Sequence, residues 1–206
     1  MSKNSKVQNK RLKASSKRWM QRHLQDPYVA RAKSDDYRSR AAYKLIEINE
    51  KFKFFKHGQT VVDLGAAPGG WSQVAACATG GRVIAMDLLE MQPIDGVEFI
   101  LGDFLFNALS LPPHCVDVVM SDMAPNTTGH KQTDHIRIMA LCQAVLDFAI
   151  IALKPGGVMI CKFFQGGAQN ELRNALNCSF KKVSYFKPNA SRKESSESYL
   201  VAIGKY

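Results

Sequence analysis

From residue 37 onward the chain alternates between two hydrophobic periods. Short apolar runs of strand length recur along it: TVVDL (60–64), RVIAMD (82–87), VEFIL (97–101), VDVVMSD (116–122), GVMICKFF (157–164), SYLVAIG (198–204) and a weaker KKVSYF (181–186). Between several of them lie segments whose apolar residues return every three or four positions, at 69–79, 133–153 and 168–178. Ahead of the first run, SRAAYKLIEINEKF (39–52) sets Ala41, Leu45 and Ile48 at helical spacing, with Arg40, Lys44 and Glu47 toward another face. KPGG at 154–157 stops a helix and leads into a strand. Strands alternating with helices predict an α/β domain, doubly wound and mainly parallel, with seven strands and helices on both faces. KKVSYF and SYLVAIG have no helical pattern between them, which predicts a hairpin and an antiparallel strand at or near the sheet edge. Residues 1–36 show no sustained period. They read as a flexible N-terminal arm before a single domain over 37–206.

Charge sharpens that division. The net charge of +10 is concentrated in residues 1–40, which hold twelve Lys/Arg against three acids, while the rest of the chain is close to balanced. A basic arm suits a polyanion, because each neutralised phosphate releases counterions. A solubilising tail and a mitochondrial presequence are the competing readings. The lysine-rich residues 1–18 contain too few apolar positions for the amphipathic helix that a presequence needs. No secretory core is present, and no apolar run approaches the ~20 residues of a membrane helix. Five cysteines without a C-x-x-C pair read as reduced thiols of a cytoplasmic protein, and five histidines form no metal-binding cluster. No metal is expected.

The candidate chemistry starts at VVDLGAAPGGWSQ (61–73), an apolar strand, a glycine-rich turn and a helix. Gly65 and Gly70 have P-loop spacing, but Trp71 stands where the phosphate-binding lysine belongs. A dinucleotide fingerprint fails as well, since Ala67 replaces its second glycine. No Lys or Arg lies between Lys56 and Arg82, and Asp63 closes the preceding strand. These features favour a cofactor with a cationic centre and no phosphate, such as S-adenosylmethionine. Its carboxylate would lie on the loop amides and helix N-terminus. Asp87, ending the second strand, is placed to accept from ribose hydroxyls, and Asp103, after the third, from the adenine amino group. Asp122 ends the fourth. A lone strand-end aspartate is usually a cap or turn residue, but four at successive strand ends form a more specific pattern.

DLGAAPGGWSQ, MDLL (86–89), GDF (102–104), SDMAPN (121–126) and KFFQG (162–166), with YRSRAAYKLIEI (37–48) and SRKESSESYLVAIG (191–204), resemble the FtsJ/RrmJ (RlmE) family of large-subunit ribosomal RNA 2′-O-ribose methyltransferases. The resemblance spans residues 16–206. It implies a catalytic lysine–aspartate–lysine–glutamate set, matched here by Lys44, Asp122, Lys162 and Glu197. It also implies cofactor contacts at Gly69, Trp71, Asp87, Asp103 and Asp122. The substrate it implies is a uridine in the A loop of 23S rRNA within the assembled large ribosomal subunit. The chain is expected to act as a monomer. Independently of the family, Asp122 and Lys162 close parallel strands, and Glu197 opens an antiparallel strand that begins where its neighbours end. Lys44 would approach from its helix.

Methyl transfer from a sulfonium to a ribose oxygen needs alignment and a route for the hydroxyl proton. Lys162 is the candidate to accept that proton or orient the oxygen lone pair. Asp122 and Glu197 would position the lysines, and Lys44 would add positive charge. A 2′-O-methyltransferase for tRNA or another RNA would use a similar set. An RNA-binding protein on an inactive methyltransferase fold would not need the set intact. Arg38 and Arg40 are expected beside the site as further RNA contacts. Removing the arm should weaken RNA binding and flatten its dependence on salt, by about 0.7 log units per log salt for each single-strand phosphate that the arm no longer neutralises. A salt titration of RNA affinity for the full and truncated chains checks this, and unchanged slopes would refute it.

Overall fold

The computed structural model describes residues 20–21, 24–106, 109, 111–125, 128–164 and 170–206. The first nineteen residues of the expected arm lie outside them. The elements run α1 (Pro27–Ser34), α2 (Ala41–Phe52), β1 (Val61–Leu64), α3 (Gly70–Thr79), β2 (Val83–Asp87), β3 (Val97–Leu101), β4 (Val116–Ser121), α4 (Lys131–Ala152), β5 (Leu153–Phe164), α5 (Asn170–Ser179), β6 (Phe180–Phe186) and β7 (Glu197–Lys205). They build one seven-stranded sheet in the order β3-β2-β1-β4-β5-β7-β6. Strands β1 to β5 pair in parallel, and β7 is antiparallel to both β5 and β6. The expected hairpin is present. Its second strand inserts one position in from the edge, and β6 takes the edge itself.

Period-two alternation divides the strands between two cores. Val61, Val83, Val118, Met120, Val158, Ile160, Tyr199 and Val201 face α2 and α3, where they meet Ala42, Leu45, Ile48, Val74 and Ala75. Val62, Leu64, Val119, Met159, Cys161, Leu200 and Ala202 face the other way, toward Ile138, Cys142, Val145, Leu146, Leu172 and Leu176 of α4 and α5. Burying each such aliphatic side chain contributes about 1.5–3 kcal/mol. α4 is long and apolar enough by composition to cross a membrane. Here its face from Ile138 to Ala152 instead covers β4 and β5.

Two details differ from the sequence expectations. The KPGG segment does not separate α4 from β5. Strand β5 already pairs at Leu153 with Val116, and the next pair is Val158 with Val118, so residues 154–157 bow out of the ladder. Gly156, at φ +83°, makes that excursion possible without side-chain strain. The second difference is the arm boundary. Residues 27–34 form a helix with Asp26 as its N-cap and Pro27 at its start. Tyr28 and Ala32 pack with Tyr43, Ile46 and Ala190 of the domain. The helix is too short for strong periodicity, and its apolar contacts come from tertiary packing, so the sequence pattern alone did not show it.

Ile160 lies mid-strand in β5 and is fully buried. Ile160→Ala should cost about 2–5 kcal/mol by transfer and cavity terms together. Urea unfolding, with an unchanged slope and a lower midpoint, would show this.

Candidate active site

The carboxyl ends of the parallel strands open onto a cleft. β1 ends at Leu64 and turns through Gly65, whose φ is +77°. A Cβ there would lie 2.2 Å from Met123 Cγ, so the absence of a side chain lets the loops after β1 and β4 touch. The turn then passes through Gly69, at φ +107°, into α3. Asp87 braces it from the next strand: Oδ2 accepts from Ala67 N at 2.9 Å and Oδ1 from Leu89 N at 2.8 Å. Asp103 Oδ1 accepts from Leu105 N at 2.9 Å. A cavity of about 720 Å³ follows these strand ends, lined by Gly65, Asp87, Asp103, Asp122, Met123 and Arg137 together with apolar groups such as Met86, Leu89 and Phe104. Three carboxylates and one guanidinium repel a polyphosphate and suit a cationic ligand. Each carboxylate has about four lone-pair positions, so Asp87 and Asp103 keep acceptor capacity for hydroxyl or amino groups.

Gly69 and Trp71 lie on the loop and helix but are not part of that cavity's lining. The Trp71 indole is buried, donates to the Ala41 carbonyl at 2.8 Å and stacks obliquely on Tyr199, 5.6 Å between centroids. Its side chain is a wedge between α2 and the sheet. Any ligand contact from this turn falls to backbone amides, and those of Gly70 and Trp71 begin the helix without intrahelical acceptors.

The four residues of the expected catalytic set converge on the α2 face of the sheet. Lys162 and Asp122 continue the inward series of Ile160 and Met120, and Glu197 precedes Tyr199 by one period. Lys162 Nζ lies 3.0 Å from Asp122 Oδ1 and also donates to the Asp122 carbonyl. Lys44 Nζ, from α2, lies 2.9 Å from Glu197 Oε1 and 3.7 Å from Asp122 Oδ2. Both lysines are buried, at 7% and 8% exposure. Asp122 therefore belongs to the cleft wall and to the charged cluster together. Buried lysines in a carboxylate network beside a cationic-ligand cleft are equipped to orient an acceptor oxygen and handle its proton.

The family model for FtsJ-like methyltransferases matches residues 37–205. The chain belongs to the FtsJ-like methyltransferase family. The ribosomal RNA large subunit methyltransferase E of Rickettsia akari is 52% identical over 209 residues, covering 96% of this chain and 92% of its own. The protein of the same name from Rhodopseudomonas palustris strain HaA2 is 55% identical over 205 residues, covering 94% and 87% respectively. A solved structure from Plasmodium falciparum, assigned as a ribosomal RNA methyltransferase, superposes with a TM-score of 0.73 at 31% identity, covering 82% of this chain and 98% of that one.

Within this FtsJ-like site the structure adds groups that the sequence reading did not single out. Tyr199 faces Lys162 across the β5–β7 ladder, and its hydroxyl donates to Asp122 Oδ1 at 2.6 Å. Its ring lies 5.7 Å from Lys44 Nζ. The signal was present in the sequence, because residues two apart on a strand share a face and Glu197 was already a candidate. Ser191 donates to Glu197 Oε1 at 2.7 Å, a loop contact with no such signal. Arg38 and Arg40, expected beside the site as RNA contacts, have intramolecular partners. Arg38 donates to the carbonyls of Pro68, Gln92 and Pro93, and Arg40 pairs with Asp26 and donates to the Ala190 carbonyl.

The electrostatics separate two buried aspartates. Burial pushes the Asp122 carboxyl up, but Lys162, Lys44 and the Tyr199 hydroxyl outweigh it and hold it below the ordinary range. Burial, with the charges of Asp122 and Glu197, keeps the Tyr199 phenol well above its usual value and therefore a donor. Asp63 lacks a lysine. Burial pushes it from the ordinary 3.8 up to about 7 against the Ser72 hydroxyl, which donates to it at 2.6 Å. The unfolded chain releases this proton near pH 4. The folded chain holds it to about 7, so the contribution of Asp63 to stability is full below the unfolded value and lost as pH rises to about 7. Asp63→Asn should remove that loss. The stability difference, variant minus wild type, should therefore grow between pH 4.5 and 7.5 in urea titrations; a constant difference would contradict it.

Proposed function

We propose that this FtsJ-like chain transfers the methyl group of S-adenosylmethionine to the 2′-hydroxyl of a uridine in the A loop of 23S rRNA, acting on the assembled large ribosomal subunit. The observation that carries this reading is the shared position of Asp122, one carboxylate serving both the cleft and the two buried lysines. The names of the relatives, which specify large-subunit ribosomal RNA, support the substrate class. S-adenosylmethionine fits the residues present: Asp87 and Asp103 would accept from its ribose and adenine, and the amides opening α3 would receive its carboxylate. When bound, it supplies an electrophilic methyl on a sulfonium leaving group.

The chain's own residues do the rest. Two of the Lys162 Nζ interactions go to Asp122, the carboxylate and the carbonyl. These anchors fix where the nitrogen sits while leaving it capacity toward a substrate oxygen. There, as an ammonium, it orients the hydroxyl lone pair, or, as a neutral amine, it takes the hydroxyl proton on its own lone pair, and alignment of oxygen and carbon supplies much of the acceleration. Lys44, held by Glu197 and Asp122, places positive charge where the alkoxide develops. Tyr199 donates to the same Asp122 oxygen that Lys162 approaches and so helps to hold the carboxylate in place. The lysine-rich arm would engage the RNA backbone.

Lys162→Ala should lower kcat by about 10²-fold or more, with little change in S-adenosylmethionine affinity, as steady-state kinetics and calorimetry would show. For the substrate, the protein is supplied with methyl-labelled S-adenosylmethionine and unmodified large subunits, and the RNA is hydrolysed in alkali. Label in an alkali-resistant dinucleotide is expected, since a 2′-O-methyl blocks cleavage at its own linkage. Label in mononucleotides would mean base methylation and overturn the ribose assignment. Labelling of tRNA in place of the subunit would keep the chemistry and replace the substrate.

A further inference from the structure

Asp26 stands outside the catalytic set, yet its side chain is only 8% exposed. An N-cap needs one carboxylate oxygen, and Asp26 Oδ1 fills that role by accepting from Tyr28 N at 3.0 Å. The second oxygen lies between two guanidinium groups, 3.0 Å from Arg40 Nε and 3.7 Å from Arg192 Nε. The Arg40 contact is an ion pair without hydrogen-bond alignment, because Arg40 Nε is buried and has no hydrogen-bonded partner. Arg40 immediately precedes α2, the helix that carries Lys44, and it also donates to the Ala190 carbonyl. Arg192 belongs to the loop joining β6 to β7.

That loop carries Ser191. Ala190 and Ser191 are buried, and Ser191 Oγ donates to the same Glu197 oxygen that Lys44 Nζ approaches. Glu47 of α2 braces the loop from a second side, accepting from the amides of Asn189 and Ala190 and from the Tyr28 hydroxyl. Two arginines that converge on one shielded carboxylate need it, since an enclosed charge left unpaired is expensive. Asp26 thereby ties three pieces together: the start of α1, the start of the Lys44 helix and the Ser191 loop.

We propose that Asp26 is a positioning residue for the catalytic set, acting through Arg40 and Arg192 to hold the loop in which Ser191 fixes Glu197 against Lys44. The role rests on the methyl-transfer reading above. It also places the chain that immediately follows the basic arm in mechanical contact with a catalytic carboxylate.

Asp26→Asn separates this role from helix capping, because asparagine caps as well as aspartate and has nearly the same volume, yet it lacks the charge that the arginines require. The variant should lose about tenfold in kcat on large subunits through misplacement of Glu197, with KM for S-adenosylmethionine unchanged. Ser191→Ala should lower kcat in the same way. The double variant should be no slower than the slower single, because both changes interrupt one route. Wild-type kcat in Asp26→Asn would overturn the proposal. So would losses that multiply fully in the double variant, or an effect confined to a lower melting temperature. A wild-type protein that methylates no RNA would overturn the functional reading and this role with it, an outcome distinct from an active wild type with an equally active variant.

Discussion

Asp122 holds the site together because it is a charge in a place that punishes charge. It sits at the end of the central strand β4, 18% exposed at its side chain, with Lys162, Lys44 and the Tyr199 hydroxyl around it. A buried carboxylate with several partners fixes those partners as firmly as they stabilise it. Removing one partner from such a group typically costs about 3–5 kcal/mol. The lysines in turn bring Glu197 and α2 into register, and the open side of the carboxylate becomes the wall of the cleft. The cleft and the candidate catalytic set are therefore parts of one electrostatic unit.

That unit can exist because the sheet sorts its side chains strictly by parity. Val118, Met120 and then Asp122 rise on the α2 face of β4, and Val158, Ile160 and then Lys162 on the same face of β5. On β7 the series runs Val201, Tyr199, Glu197 in the opposite chain direction. An antiparallel strand between β5 and β6 starts where β5 finishes, so its first residues arrive at the ligand edge. A parallel strand in that position would deliver its last residues there instead. On the opposite face at these levels Cys161 and Leu200 turn toward α4 and α5, beside the buried hydroxyls of Ser121 and Ser198.

The glycine turn and the α1 segment solve related problems of close approach. Gly65 lets two loops meet where any Cβ would collide with Met123, and Gly70 does the same against Ser39 Oγ, 2.4 Å from a built Cβ. These contacts bring the start of α3 under the residues that precede α2. α1 then closes over the outside of α2 through Tyr28, Tyr43 and the Asp26 ion pairs. The arginines at 38 and 40 take part in this assembly.

Much of this was legible in the residues. Because a two-sided sheet writes its burial directly into the sequence, hydrophobic period revealed the strands and helices of the domain within two residues, except that β5 begins four residues earlier, at Leu153. The strand-end acids, with Asp122, Lys162 and Glu197 among the four candidates, could be read for the same reason: chain position at a strand end already implies position at the ligand edge. Lys44, on a helix, was singled out through the family resemblance. What the sequence could not determine depends on contacts between distant segments. Only the folded chain shows that Trp71 is a wedge and not part of the cavity lining, that Arg38 and Arg40 hold carbonyls and Asp26, and that Ser191 bonds Glu197. Only burial and proximity together split Asp63 from Asp122, two strand-end acids with opposite proton affinities. Local pattern specifies which face and which edge a residue occupies. Which partner it meets there is a long-range property, decided when the sheet, α1 and the β6–β7 loop close on one another.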